Sequence, residues 1–331
     1  MTSAGGRDGR GGAGAWVLVA GDGDGRVVTD PREALQALQS KDGPITWIHA
    51  GLDDPGFLQV LEDFGLPDLA VDSLIGGPER PRVEEYQSCL YISLFCAVPG
   101  EDFPVLEDIR VLLGGNWIVS MGAVDPGAYL KLCSRVQRQV FDLKRGVGYL
   151  LYYLVEWAVE SLNPYLDELD DRVDGLEDQV VRAPLDTTRE QLFRLKRELL
   201  NLRRSIAPLR DVMQRLSSHG VSFIEEGVGV YFRDVHDDVL YDIELLDTHR
   251  DLLTSALDLY LSTISNRLNA VMKQLAIVAT IFMPLTFVTG FFGQNFLRLP
   301  FGSGFWFGFM LVSVFGSAAG MLVYFKIKSW L

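Results

Sequence analysis

Charged residues stop at Lys273 and resume at Lys326, with Arg298 alone between them. On either side of Arg298 lie Gln274–Gly293 and Phe305–Phe325, twenty and twenty-one residues without a charge. About twenty apolar residues in a helix cross the hydrocarbon of a bilayer. Two such runs joined by Gln294–Gly304 predict a transmembrane hairpin, because a soluble helix seldom lacks a polar face for so long. The short link puts both ends of the pair on one side. Lys273, Lys326 and Lys328 flank that side, so the positive-inside rule assigns it, the N-terminal part and the C-terminus to the cytoplasm. Pro284 falls within the first span, where it removes a backbone donor and can kink the helix. Trp306 and Tyr324 stand near the ends of the second span, as interfacial aromatics do. Gly304/Gly308 and Gly316/Gly320 have the four-residue spacing that lets helices approach closely. One hairpin cannot enclose a pore, so conduction requires several copies.

Upstream of the spans the pattern is helical. From about Tyr231 to Phe292 the only proline is Pro284. Leu240, Ile243, Leu246, Leu253, Leu257, Ile264, Leu268, Val271 and Leu275 recur at three, four or seven, which predicts one apolar stripe on a helix of about sixty residues. Such a helix is roughly 90 Å long and runs from the cytosol into the membrane. From about Tyr149 a helix crowded with Glu156, Glu160, Asp167, Glu168, Asp170, Asp171, Asp174, Glu177 and Asp178 precedes a break at Ala183–Asp186. The helix after it is basic: Arg189, Arg194, Lys196, Arg197, Arg203, Arg204, Arg210 and Arg215. One reading is an antiparallel hairpin held in register by charge. The other is two solvated faces, whose exposed ion pairs contribute under about 1 kcal/mol each.

Between about Trp16 and Gly146 the period changes. WVLVA, TWIHA, CLYISLF, IRVLL and WIVSMG are short and rich in β-branched or aromatic residues, which reads as strands. Asp30-Pro31-Arg32-Glu33 reads as a helix start, with Asp as N-cap, Pro at the first helical position and Glu closing a capping box. This part is an α/β domain with a small mixed sheet. The organisation is a Gly-rich tail over 1–14, a cytoplasmic domain over 15–146, a helical stalk over 147–273 and a membrane hairpin with a basic C-terminus over 274–331. The fold class is α+β with long stalk helices and a two-helix transmembrane hairpin.

Composition sharpens the picture. Thirty Lys and Arg stand against 44 Asp and Glu, a net charge of −14, while 48% of residues are hydrophobic. That charge argues against nucleic-acid binding and suits a protein that attracts cations. Cys89, Cys96 and Cys133 show no CxxC or zinc-ligand spacing and read as reduced cytosolic thiols. Residues 1–13 lack the apolar region of a signal peptide. Gly21-Asp22-Gly23-Asp24-Gly25 is calcium-like only at first sight. Arg26 takes a ligand position of an EF-hand loop and Val27 its glycine, so a tight turn between strand and helix is the reading. His49, His219, His236 and His249 form no HExxH pair, and there is no GxSxG. No nucleophile, base and orienter assemble, so the chain is not read as an enzyme, and no organic cofactor is implied.

The stretch DLYLSTISNRLNAVMKQLAIVATIFMPLTFVTGFFGQNF, Asp258 to Phe296, resembles the CorA family of divalent-metal transporters, including its zinc-transporting ZntB branch. YFRDVHDDV from Tyr231, VDSLIGGPERPRVEEY from Val71 and the end from Lys326 to Leu331 extend the resemblance over nearly the whole chain after the tail. It implies a homopentameric funnel in the cytoplasmic (inner) membrane, with an α/β/α domain and a pore lined by the first span. The implied pore line is Asn269, Met272, Leu275, Met283, Thr286, Gly290 and Asn295, with Asp258 at the cytoplasmic stalk. Met and Leu rings form a hydrophobic constriction that gates by dewetting. The signature here reads Gly293-Gln294-Asn295, with Gln in place of the usual Met. Asp72 and Asp234 match the carboxylates that share a regulatory metal between subunits. The outer loop FLRLPFGSG carries no acid and one base, Arg298.

The resemblance implies transport of a divalent cation (Mg²⁺, Co²⁺, Ni²⁺ or Zn²⁺), with such an ion also the regulator on the inside. Two alternatives stand beside it. The same architecture could conduct another ion: an anion, since a ring of Arg298 disfavours cation entry, or zinc coupled to protons, since the ZntB branch also varies the middle signature residue. Or the chain is a membrane sensor that conducts nothing.

Overall fold

The computed structural model describes residues 16–19, 25–28, 30–39, 45–51, 55–77, 80–100, 104–122, 132, 134–136, 145–182, 187–294, 303–328 and 330. The Gly-rich tail, Asp22 and Asp24, the break at Ala183–Asp186, Asn295 and Arg298 lie outside them. The chain divides into two compact units, Met1–Glu177 with Glu190–Thr254, and Asp178–Arg189 with Ser255–Leu331.

The first unit is built on a mixed sheet of seven strands, β1 (Trp16–Val19), β2 (Gly25–Val28), β3 (Thr46–Ala50), β4 (Arg82–Glu85), β5 (Leu90–Val98), β6 (Val105–Leu113) and β7 (Trp117–Gly122). Their order is β2-β1-β3-β7-β6-β5-β4. Only β3 and β7 pair in parallel, Ile48 opposite Val119. All five strand readings are present. The two additional strands form the sheet's edges: β2 pairs with β1, Val27 opposite Val17, and β4 pairs with β5. Gly25–Val28 is therefore a strand, so the glycine-rich segment precedes a strand and not a helix. Charges on Arg82, Glu84 and Glu85 suit an edge that should not recruit another chain.

Every residue of β3 and β7 is buried. Residues of both alternations can be dry only if both faces are covered. Helices α1 (Pro31–Gln39), α2 (Pro55–Phe64) and α3 (Asp68–Ile75) cover one face. They pack Leu38, Phe57, Leu61 and Leu74 onto Ile48, Tyr91, Val119 and Met121. Helix α4 (Val147–Glu160), nearly all apolar, packs against β5. The Asp30 side chain accepts the Arg32 amide at 2.9 Å where α1 starts. At the start of α4, Glu225 accepts the Gly148 amide at 2.9 Å, a carboxylate on a helix N-terminus. Gly146, with φ of +145°, lies so close to Glu225 that a Cβ there would collide with the carboxylate.

Three long helices follow α4: α5 (Asn163–Arg182), α6 (Thr188–Leu216) and α7 (Gly229–Phe292). The acidic stretch is two helices and not one. Pro164 has no amide to continue the hydrogen-bond ladder of α4, and a turn at Ser161–Leu162 separates them. Charge registers α5 and α6 through Arg172 and Glu198, 3.2 Å apart. Other polar side chains of these helices bind α7 instead. Arg203 grips Asp247 with two bonds of 2.7 and 3.0 Å. Lys196 donates to Thr254 at 2.8 Å, and His249 bonds Asp170 at 2.8 Å. The hairpin is thus a three-helix arrangement with the third helix taking much of the charge.

Within the first unit α7 buries Phe232, Val235, Val239, Asp242, Leu246, His249 and Leu253, alternating steps of three and four. The stripe drawn from Leu and Ile spacing lies beside this line. Leu246 and Leu253 belong to both, Leu240, Ile243, Leu257 and Ile264 are half-buried, and Leu268, Val271 and Leu275 are exposed. Asp242 and His249 fill slots that an apolar count assigns to hydrophobic residues.

In the second unit α7 continues without a break through Pro284, and α8 (Gly304–Ile327) follows. Both helices are long and apolar enough to cross a membrane. Phe292 meets Trp306 at 6.5 Å and Phe309 at 6.4 Å between ring centroids. At the other end the Lys273 ammonium lies 5.7 Å from the Trp330 ring, which stacks on Phe325. The hairpin is therefore clasped at both ends by aromatic contacts.

Two predictions follow from the first unit. Gly146→Ala combines a left-handed φ with a collision and should destabilise by about 2 kcal/mol; an unchanged thermal midpoint would contradict it. His49 is buried beside Ser120, whose hydroxyl oxygen is 3.0 Å from its Nδ1 and receives the Trp47 indole N–H at 2.8 Å. Burial holds the imidazole pKa down to about 3, against 6.5 ordinarily. The unfolded chain therefore takes up this proton first, and the stability present above pH 6.5 is lost as pH falls toward 3. The slope is at most about 1.4 kcal/mol per pH unit. His49→Asn should flatten the fall in thermal midpoint between pH 6.5 and 4.5, and equal slopes would refute this.

Candidate functional site

Two groups of side chains carry the candidate chemistry, one in each unit. The first lies on α7 within the membrane-crossing segment. Ile277, Ile281, Leu285, Val288 and Phe292 recur at three or four and form the covered line of this segment, which ends on the aromatic contacts with α8. At about 100° per residue, Met272, Leu275, Met283, Thr286 and Gly290 fall on the opposite side. All of them are exposed, Met283 at 73%. Asn269 and Asp258 are exposed as well. Met272, Leu275, Met283, Thr286 and Gly290 thus share a side of α7 that its own hairpin partner leaves bare, while Asn295 lies outside the described residues.

The polar members of that side have particular valences. The Thr286 hydroxyl donates to the Phe282 carbonyl at 2.9 Å. Its proton is spent on the backbone, so its lone pairs face outward as acceptors. Gly290 has no neighbour within 4 Å of where a Cβ would stand, so its backbone is open on that side. Helix α7 ends just beyond, where Gly293 N–H bonds Thr289 O at 2.9 Å and Gln294 N–H bonds Phe291 O at 3.3 Å. Gly293 and Gln294 are exposed.

The second group surrounds Asp234, exposed on α7. Asp72 is exposed on α3, where its carbonyl accepts the Gly76 amide at 2.8 Å. Asp234 has acidic neighbours that spacing along one helix does not reveal. Burial, and then Asp234 and Glu160, push the Asp238 carboxyl above its ordinary range. Glu156 of α4 is also raised, chiefly by burial, although Tyr152 and Arg135 pull it down. Tyr152 donates to Glu156, and Arg135 bridges Glu156 at 2.9 Å and Glu160 at 2.5 Å. The negative potential at Asp234 is therefore made by two helices. A single helix read at a period of 3.6 contains Asp234 and Asp238 but not Glu156 and Glu160, which approach them from α4.

A helix-covered mixed sheet together with two helices fit to cross a bilayer describes a membrane protein with a large N-terminal unit. The family model described as CorA-like Mg²⁺ transporter protein matches residues 42–326. The chain is 34% identical over 293 residues to the cobalt/magnesium transport protein CorA of Thermotoga maritima, covering 86% of this chain and 83% of that one. It is 28% identical to the zinc transport protein ZntB of Cronobacter sakazakii, over 93% of this chain and 91% of that one. The CorA magnesium transporter of Methanocaldococcus jannaschii has the same fold, with a TM-score of 0.79 at 22% identity, covering 96% of this chain and 99% of that one. The chain belongs to the CorA-like Mg²⁺ transporter family, a family of membrane transporters and not of enzymes.

Proposed function

We propose that the protein is a homopentameric channel or transporter that moves divalent metal cations across the cytoplasmic membrane and is regulated by metal on the cytoplasmic side. The observation that carries this reading is the bare side of α7. Met272, Leu275 and Met283 are large apolar side chains exposed opposite α8. Five copies around an axis turn that side inward and make rings of Met and Leu. Such rings close a pore by dewetting. Asn269, Thr286, the Gly290 backbone and Asn295 supply neutral oxygens between and beyond them. Mg²⁺ dehydrates reluctantly, so neutral oxygens suit an ion that keeps its water. Asp258 stands at the cytoplasmic stalk, and both termini are cytoplasmic, as Lys273, Lys326 and Lys328 indicate. The working parts are the domain over 15–146, the stalk over 147–273 and the hairpin over 274–331, after a tail over 1–14.

The regulatory pair is Asp72 and Asp234, contributed by neighbouring subunits. Two exposed carboxylates brought together repel unless a cation sits between them. A metal that binds only the closed arrangement shifts the population toward it by its differential affinity. The relatives named for cobalt, magnesium and zinc support Mg²⁺, Co²⁺ and Zn²⁺ as candidate ions, beside Ni²⁺ from the family resemblance. Gln294 at the signature, and Arg298 in an outer loop without acids, favour one second reading. There the same architecture passes another ion, an anion or zinc coupled to protons. A non-conducting membrane sensor is the third.

Purified protein in liposomes separates the three. Flux of Mg²⁺ or Zn²⁺ without Cl⁻ flux is expected, and Asn295→Ala should lower it at least about tenfold, roughly 1.4 kcal/mol of barrier. Anion flux without metal flux, or Zn²⁺ flux that requires a proton gradient, establishes the second reading, and no flux of any ion the third. Asp72→Lys with Asp234→Lys should leave flux insensitive to internal divalent cations, while an unchanged response to internal metal rules out the shared site.

A further inference from the structure

Asp242 lies eight residues along α7 from Asp234, about 12 Å at 1.5 Å per residue. It occupies one slot of the buried line and is only 4% exposed. Its Oδ2 has no hydrogen-bond partner among the described residues. A buried polar atom without a partner is uncommon, and an unpaired buried carboxylate is costly. Leu or Ile in this slot would remove the cost, so the carboxylate calls for something to bind.

It lines a cavity of about 500 Å³. Glu160, Asn163, Asp167, Asp170 and Asp238 line the same cavity, and among the described residues no Lys or Arg does. Two of these walls are fixed from outside. Arg135 holds Glu160, and His249, itself 2% exposed, holds Asp170. Asp167 and Asp238 are exposed at the rim. Burial, and then Asp238, push the Asp242 carboxyl up to about 7.

We propose that this cavity is a cation site contained within one protomer, taking one hydrated divalent cation against the carboxylates of Asp242, Asp238, Asp167, Glu160 and Asp170. It differs from the Asp72–Asp234 pair, which needs two subunits. Among the described residues, no three His, Cys, Asp or Glu side chains are grouped closely enough to ligate a bare ion. The ion therefore keeps its water, and the carboxylates and the Asn163 amide oxygen accept hydrogen bonds from that shell. Six waters fill roughly 180 Å³ at about 30 Å³ each, which the cavity accommodates. An ion of small radius that holds its shell, of the Mg²⁺ kind, fits this chemistry. The site ties α4, α5 and α7 together and holds whether or not the protein conducts.

The test counts bound Mn²⁺ on full-length protein in detergent at pH 8, from the electron paramagnetic resonance signal of the free ion. Asp72→Asn and Asp234→Asn are present throughout, so the intersubunit pair adds nothing. Adding Asp242→Asn should remove one Mn²⁺ per protomer. Asp167→Asn with Asp238→Asn changes only exposed side chains and should weaken that site at least tenfold. This second variant carries the test if the buried change impairs folding. An unchanged count and affinity in either variant with the parent's circular dichroism would overturn the proposal.

Discussion

One continuous helix has to satisfy two solvents. From Gly229 to Phe292, 64 residues, α7 keeps its backbone hydrogen-bonded, while its surroundings change from a packed protein unit to hydrocarbon. In the first stretch it buries a narrow line and leaves the rest to water. In the second it is apolar all round, which is the pattern of a membrane-crossing helix and not of a surface one. Pro284 does not end it, because a helix in lipid can tolerate the lost bond when neighbouring groups compensate. Much of the candidate chemistry is placed by this helix. Met272, Leu275, Met283, Thr286 and Gly290 lie on its bare side, and Asp234, Asp238 and Asp242 lie on it in the first unit.

The charge follows the same division. A net −14 beside 48% hydrophobic residues is unusual only as an average. The acids are concentrated before Lys273, and no acid occurs from there to the end of the chain. The acidic side chains can therefore attract, sense or hold cations on the side of the soluble unit, while the membrane segment presents amide, hydroxyl and backbone oxygens. Within the soluble unit the acids divide further. Glu198 and Asp247 bond partners on neighbouring helices and serve packing, while Asp170 bonds His249 and also lines the cavity. Asp72 and Asp234 face outward, and Asp242 is buried beside a cavity.

Much of this was legible in the sequence where one physical pressure acts alone. Twenty uncharged residues have few outcomes other than a membrane span, and WIVSMG or CLYISLF has few other than a buried strand. The misses occur where two pressures compete. β4 was not recognised because edge strands favour charge over hydrophobicity, as Arg82, Glu84 and Glu85 show. β2 was missed because four residues between glycine-rich and helical segments carry little pattern. The acidic stretch reads as one helix because the break at Ser161–Leu162 is only two residues long, although Pro164 in the first turn of α5 fits a new start. The buried stripe of α7 was read one step to the side because Asp242 and His249 hold slots where only Leu or Ile would be counted. The acids of α4, Glu156 and Glu160, are visible in the sequence as part of an acidic stretch, but their proximity to Asp234 is not, since proximity across helices has no sequence period.

The central claim is that the side of α7 away from α8 is covered by further copies of the same chain. Native mass spectrometry of the detergent-purified protein tests it most directly. A complex of five 36.9 kDa chains is the predicted result. A monomer or dimer that persists across mild detergents would contradict it, because too few copies would be present to enclose the Met272, Leu275 and Met283 side chains.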